Sequence, residues 1–277
     1  MITCDLRGGL GNQLFQIFAT ISYAIENKIP FGFLHTETLG VRHTYWNTFL
    51  SPLKNVLFKV MPINTLSFKE DGFQYNEITK PPLEYPSQEI QKIILVGYFQ
   101  SYKYFEKHFS AICRLINFEQ QQDKFKCLEL NKTISMHFRL GDYKHLKHFY
   151  PIMSVEYYKN SLQYIISKTQ KTDHIIIYFY ENDDRDDVLQ TIQQLKVEFP
   201  ECVFQQADPK NNVSDWEQLL MMSCCQHNII ANSSFSWFGA YFNQNPDKII
   251  CYPKQWFCDY GAHIITEDLF PNEWIKV

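Results

Sequence analysis

Apolar positions recur along this chain in two registers. Residues 2–6 form a short apolar run that predicts a strand. A helical period then takes over across about 13–28, where Leu14, Ile17, Phe18, Ile21, Ala24 and Ile25 share one face. Pro30 ends that helix. Between strand and helix lies Arg7-Gly8-Gly9-Leu10-Gly11-Asn12-Gln13. Residues 31–90 carry little period, and Pro81, Pro82 and Pro86 mark a loop. Residues 92–99 (KIILVGYF) predict a buried strand, and 101–116 a helix. The polar stretch from Glu119 to Lys126 is where a domain boundary is expected, giving domains of 1–128 and 129–277.

Beyond it, strands alternate with helices. Strands are predicted at 133–139, 174–180, 202–206, 228–231 and 248–253. Helices are predicted at 155–168 behind the cap Ser154, at 185–198, at 215–226 behind the cap Ser214, and at 235–243. In the first of these, Tyr158, Leu162, Ile165 and Ile166 face inward. Continuous apolar strands separated by helices predict an α/β fold, a parallel sheet covered on both faces. Two such sheets fit the 277 residues.

Composition narrows the function. Lysine and arginine number 26 against 30 acidic residues, a net charge of −4 that does not favour nucleic acid. No run reaches the roughly 18 apolar residues of a membrane span. Asp5 and Arg7 near the start, with no small-residue cleavage site, argue against a signal peptide. Eight cysteines lie scattered in apolar segments with no CxxC pair, the pattern of reduced cysteines in a cytoplasmic protein. Three glycosylation sequons, at Asn131, Asn212 and Asn232, then read as chance matches.

In doubly wound sheets, ligands bind past the carboxyl ends of the strands, so the residues after each strand carry the chemistry. The glycine loop at 7–13 lacks the GxGxxG spacing of a dinucleotide fingerprint. It reads equally as a tight turn or as a ligand-facing loop whose backbone N–H groups are bare. After the strand at 133–139, His137 and Arg139 share a face. Arg139 either pairs with Asp142 or awaits an anion such as phosphate. His137 alone reads as a core histidine.

The run Glu181-Asn182-Asp183-Asp184-Arg185-Asp186-Asp187 contains a formal DxD at Asp184 and Asp186. It reads first as an acidic helix start, then as a metal site, then as a carboxylate for the donor edge of guanine. Asn232-Ser233-Ser234-Phe235-Ser236 offers four hydroxyl or amide side chains at a helix N-terminus, more than one cap requires, and predicts an anion cradle. No GxSxG, HExxH or P-loop is present. An arginine and a serine cradle suggest a nucleotide diphosphate ligand.

Taken in order, GGLGNQLFQIFA, GYFQSYKYF, HFRLGDY and IIANSSFSWFGAYFNQNPDKIICYPKQWF resemble the glycosyltransferase family 11 α-1,2-fucosyltransferases. The likeness runs from about Leu6 to Phe257 and is weak over 31–90. It implies a GT-B-like fold, two Rossmann-like domains facing a cleft, the first on the acceptor side and the second binding GDP-fucose. It implies inverting transfer of fucose to a galactose 2-hydroxyl of a glycan, with no metal or other cofactor. Arg139 would meet the β-phosphate, His137 and either Asp183 or Asp184 would lie by guanine and ribose, and Ser233 and Ser234 would lie near the phosphates. Gly9, Gly11, Asn232 and Phe235 would complete the donor-binding set. Asn12 would face the reacting centre, and Asp142 is the nameable base. Family members commonly read HxRRGDY, and here Leu140 replaces the second arginine. Another GDP-sugar donor, a DxD-dependent transferase, or a sugar-binding protein without turnover are the alternatives. The implied setting is the cytoplasm, with peripheral membrane contact left open.

Overall fold

A computed structural model of the chain describes residues 1–61, 65–78, 92–126, 132–210 and 212–277. The loop expected around Pro81, Pro82 and Pro86, together with Cys127 and Asn131, lies outside the described residues. The chain divides into two compact units. Unit 1 holds residues 1–121 and 265–271, and unit 2 holds 122–264 and 272–277.

Unit 1 is built on a parallel sheet of β1 (Ile2–Cys4), β7 (Lys92–Val96) and β6 (Thr65–Lys69), with β7 in the middle. The poorly periodic stretch contributes two minor pairs. The strands β2 (Phe33–Leu34) and β5 (Leu57–Phe58) run parallel, and β3 (Thr38–Leu39) and β4 (Arg42–His43) form a hairpin.

Helix α1 (Leu10–Asn27) starts three residues earlier than its apolar period and is buried on nearly every side. Besides Leu14, Ile17, Phe18 and Ile21, it buries Phe15, Ala19, Gln13, Gln16 and Thr20. The glutamines are affordable because their amides bind backbone. Gln13 donates to the carbonyls of Gly8 and His43, and Gln16 to those of Arg7 and Asn12, all at 2.7–3.0 Å.

The helix expected at 101–116 is interrupted. Short 3-10 turns at Tyr102–Tyr104 and Glu106–His108 precede α2 (Phe109–Leu115). Phe105 leaves helical geometry at φ −140° and inserts fully buried, edge-on to Phe18 at 5.5 Å. Aromatic packing overrides local helix propensity here. A short helix α3 (Phe118–Gln122) follows, and the division between units falls within it, between Gln121 and Gln122.

In unit 2, six parallel strands are ordered β10-β9-β8-β11-β12-β13. They are β8 (Thr133–His137), β9 (Ile175–Phe179), β10 (Val203–Gln206), β11 (His227–Ile229), β12 (Ile250–Tyr252) and β13 (Ile275–Lys276). Renumbered within the unit this is 3-2-1-4-5-6, the Rossmann order, whose switch point lies between β8 and β11. Strand β13 had no counterpart among the predicted elements. The helices are α4 (Val155–Thr169), α5 (Arg185–Glu198), α6 (Asp215–Ser223) and α7 (Ser234–Tyr241). Ile134, Met136, Ile176 and Tyr178 pack with Leu162, Ile165, Val188 and Ile192 of α4 and α5. Ile177 and Phe179, on the other face, pack with Met222 of α6 and Phe235 of α7. Alternation along each strand thus supplies both layers of the core. Among the described residues no helix is long and apolar enough to cross a membrane.

Candidate functional site

Strands β8 and β11 are parallel neighbours, and their carboxyl ends carry His137 and the segment Ile230–Ser233. Two tyrosines at the start of α4 fix these ends. Tyr158 donates its hydroxyl to the His137 carbonyl at 3.0 Å, and Tyr157 to that of Ile230 at 2.5 Å.

The side chains at the two ends are each left with an unsatisfied atom. His137 is 6% exposed, and its Nδ1 has no partner among the described residues. Burial, reinforced by the neighbouring Arg139 cation, pushes its pKa down to about 3, so the imidazole is neutral. Asn232 is 1% exposed. Its Nδ2 donates to the carbonyls of Pro151 and Trp256 at 3.0 and 3.2 Å, and its Oδ1 has no partner among the described residues. Each unpaired buried polar atom costs about 1–3 kcal/mol unless a ligand or water answers it. Both atoms lie at the topological switch point, where sheets of this order bind ligands.

Arg139 lies two residues past β8, with its side chain 16% exposed. Of its two readings, a pair with Asp142 or a place for an anion, the structure has the pair, and it adds a second acid. One guanidinium nitrogen meets Asp142 Oδ1 at 2.7 Å, and another meets Glu181 Oε1. Burial works against the guanidinium's charge, and the Glu181 and Asp142 carboxylates more than offset it, so its pKa is raised. Its carbon lies 5.2 Å over the Tyr143 ring, which stacks on Tyr150 at 4.2 Å. Glu181 sits in the acidic run but has no sequence pattern of its own. Its signal is positional, since it follows the strand adjacent to β8.

The rest of that run is sorted by burial. Asp184 is buried and accepts from the Gly141 N–H at 2.7 Å and from Lys144 Nζ at 2.9 Å. Lys144 also meets Asp187 at 2.7 Å. The formal DxD is therefore divided: Asp184 braces the Gly141–His145 turn, and Asp186 is exposed. Asp183 is exposed as well.

The serine-rich segment is partly used by the fold. Ser233 caps α7 by accepting from the Phe235 N–H at 3.3 Å. Ser236 is buried and donates back to the carbonyls of Ala231 and Ser233. Ser234 is half-buried in the first turn, and Phe235 packs 5.5 Å from the His137 ring. The fold thus uses the Ser233 and Ser236 hydroxyls itself, so the segment does not present four spare side chains.

The glycine loop belongs to unit 1. Gly8 sits at φ +77°, and a Cβ there would lie 2.5 Å from Asn12 Nδ2, so both backbone and packing require glycine. A Cβ on Gly9 would meet none of the described residues within 4 Å, so they do not impose its bareness by packing. Gly11 is buried in the first turn of α1. Asn12 is half-buried, and its Oδ1 accepts from Gln100 Nε2 at 2.8 Å. Gln100 lies in the turn after β7 and carried no sequence signal of its own.

The chain is similar to several known proteins. The alpha-1,2-colitosyltransferase of Escherichia coli is 24% identical over a 311-position alignment that covers 100% of this chain and 99% of that one. The O-antigen biosynthesis glycosyltransferase WbnK of Escherichia coli is 29% identical over 195 residues, 64% of this chain and 60% of that relative's length. Among solved structures, fucosyltransferase NodZ from Bradyrhizobium superposes with a TM-score of 0.48 at 13% identity, over 86% of this chain and 92% of that one. A mutant of Arabidopsis thaliana FUT1 in complex with GDP gives 0.47 at 9% identity, over 90% and 69%. The model of one family, Glycosyl transferase family 11, matches residues 1–277, and the chain belongs to that family.

Proposed function

We propose that this protein transfers L-fucose from GDP-fucose to the 2-hydroxyl of a galactose-terminated glycan, with inversion and without a metal. The observation that carries the reading is the grouping at the switch point of unit 2. There, His137 Nδ1 and Asn232 Oδ1, unpartnered among the described residues, flank the strand ends next to the half-buried guanidinium of Arg139. Uncharged hydrogen-bonding atoms suit a nucleoside, and a half-buried planar cation suits a diphosphate.

In this mechanism the donor's C1–O bond breaks and its electron pair leaves with the β-phosphate oxygen. The acceptor oxygen bonds to C1 from the opposite face through an oxocarbenium-like transition state. Arg139, with Ser234 and the N–H groups at the start of α7, stabilises the charge that builds on the diphosphate. A diphosphate on Arg139 replaces one or both of its carboxylate partners. Asp142, so released, takes the proton that the acceptor hydroxyl loses. Asp183 or Glu181 accepts from guanine, and Asp184 holds the turn behind them.

A second reading keeps the fold and nucleotide and changes the sugar to colitose, the 3-deoxy counterpart of fucose. The full-length likeness to a colitosyltransferase favours it. Incubation with GDP-fucose or GDP-colitose, with and without lactose and with EDTA throughout, separates the two. Lactose-dependent GDP release with a product fucosylated at the 2-position supports the first reading. Release only with GDP-colitose supports the second. GDP binding without release from either donor overturns both.

A further inference from the structure

Glycosyl transfer needs an acceptor as well as a donor, and the sugars behind the reacting one leave the reaction centre across some surface of the protein. Among the described residues of unit 2, four large hydrophobic side chains are exposed: Leu146, Val197, Val203 and Tyr260. Val203 opens β10 and Val197 lies in the last turn of α5, so both stand at the amino ends of the strands, away from the switch-point site. Leu146 and Tyr260 stand at the other end. Leu146 closes the Gly141–His145 turn that follows Arg139, and Tyr260 lies in the 3-10 turn Asp259–Gly261, which follows β12.

These two segments are fastened to each other. The Cys258 N–H donates to the Phe149 carbonyl at 2.7 Å, and the Phe257 ring lies 5.4 Å from Phe149 and 5.6 Å from Tyr150. Tyr150 stacks in turn on Tyr143, which carries Arg139 over its ring. Gly261 lets the turn close, since a Cβ there would lie 2.6 Å from Phe257 Cβ. On this held turn the Tyr260 residue is 72% exposed, and its ring meets the exposed His148 ring edge-on at 5.2 Å. An exposed aromatic side chain on a fixed turn binds a ligand at little cost in ordering.

A hexose has an apolar face of C–H groups and a rim of hydroxyls. Its face packs on an aromatic ring, and its rim takes hydrogen bonds from polar neighbours, which the exposed His148 and Asp259 supply here. Three rings, those of Tyr143, Tyr150 and Phe257, lie between Arg139 and the turn, so the sugar that Tyr260 meets is not the reacting one. We propose that Tyr260, with His148, is the platform on which the acceptor glycan's inner sugars stack, behind the galactose that receives the transferred sugar. The platform rests on the function proposed above in one respect, the placing of the donor diphosphate at Arg139.

The test compares the full chain with Tyr260→Ala and Tyr260→Phe on methyl β-galactoside, lactose and the galactose-terminated tetrasaccharide lacto-N-tetraose. Four readouts are taken: the melting temperature, GDP affinity by calorimetry, KM and kcat for transfer from GDP-fucose, and saturation-transfer NMR of the tetrasaccharide with GDP present, which needs no turnover. Both variants are expected to melt with wild type, because the side chain is exposed. In wild type, KM is expected to fall from the monosaccharide to the tetrasaccharide. Tyr260→Ala is expected to raise the tetrasaccharide KM at least fivefold and to abolish saturation transfer to its inner sugars. GDP affinity, kcat and the methyl β-galactoside KM are expected to stay within twofold, and Tyr260→Phe, which keeps the ring, to match wild type. An unchanged tetrasaccharide KM in Tyr260→Ala, an equal rise for all three acceptors, or a wild-type protein without saturation transfer to the inner sugars overturns the platform. Saturation transfer that depends on Tyr260 in a protein that moves no fucose leaves the platform standing and fails the proposed function.

Discussion

The Tyr143 hydroxyl donates to the main-chain carbonyl of Asn232 at 3.0 Å. This bond ties the turn after β8 to the segment after β11 across the switch point. The same tyrosine carries Arg139 over its ring, so one side chain sets the spacing between the guanidinium and the start of α7. Tyr143→Phe keeps the ring and removes the tie. GDP affinity measured by calorimetry is expected to fall about fivefold to tenfold, the equivalent of one hydrogen bond of ~1 kcal/mol. An unchanged affinity would show that the spacing is set elsewhere.

Arg139→Ala removes the half-buried cation and leaves Asp142 and Glu181 facing each other across the gap. Turnover is expected to fall by ~100–1000-fold, the effect of losing one preorganised charge contact. Arg139→Lys is expected to recover little, because a single ammonium cannot span both carboxylates or grip a diphosphate with a planar fork. Steady-state rates with saturating donor make the comparison, and near-wild-type turnover in a folded Arg139→Ala protein would remove Arg139 from the mechanism.

Leu140 stands where the resemblance leads one to expect a second arginine. It is 9% exposed and packs in the core with Phe138 and Tyr158. Leu140→Arg places an unpaired charge in that core and is expected to cost about 2–4 kcal/mol of stability. No gain in turnover is expected from it. Thermal melts and rates on one preparation test both halves of the statement, and a stable, faster variant would contradict them.

Gly8→Ala and Gly9→Ala separate fold from ligand. At Gly8 the left-handed backbone and the contact with Asn12 predict a loss of about 1–2 kcal/mol. Gly9 has open space around it, so Gly9→Ala is expected to leave the melting temperature unchanged. A drop in transfer rate in Gly9→Ala at constant stability would place that backbone against substrate.

Acid should unfold this protein through its buried histidines. Burial lowers the pKa of His137 to about 3 and of His227 to about 4, and that of His174 falls as well. The unfolded chain therefore binds more protons below pH 6.5, and stability falls as pH drops through that range. For His137 alone the loss at pH 5 is about 2 kcal/mol. Glu70 acts in the opposite sense, because its raised pKa contributes stability below about 4.5 that is lost as pH rises through about 7. The urea midpoint is expected to fall most steeply below pH 5, once Glu70 is already protonated. A flat midpoint from pH 7 to 4 would show that the histidines are not held neutral.

Much of unit 2 was legible because its elements obey simple periods. The strands at β8, β9 and β11 and the helices α4 and α5 appear within a few residues of their predicted ranges. So did the strand-end positions of His137, Arg139 and Asn232. What escaped were pairings between segments far apart in sequence. Glu181 meets Arg139 only because β9 lies beside β8, and Glu70 meets Tyr98 and Phe99 only because β6 lies beside β7. The serine cradle was overcounted for a local reason. A buried serine in a helix can satisfy its hydroxyl on the preceding turn, as Ser236 does, and composition does not reveal that choice. The broken helix at 101–116 was misread because Phe105 has an acceptable helical period yet packs outside it.

The last residues of the described chain finish both units. Residues 265–271 belong to unit 1, where the Asp268 backbone and side chain receive Ser101, Tyr75 and Lys103, while Ile275–Lys276 adds the outer strand of unit 2. A ribosome translating this sequence releases neither unit with its full set of contacts until residues 265–276 have left the exit tunnel. Each unit therefore waits for a segment made after most of the other unit, and nascent chains stalled upstream of residue 265 should be protease-sensitive in both halves.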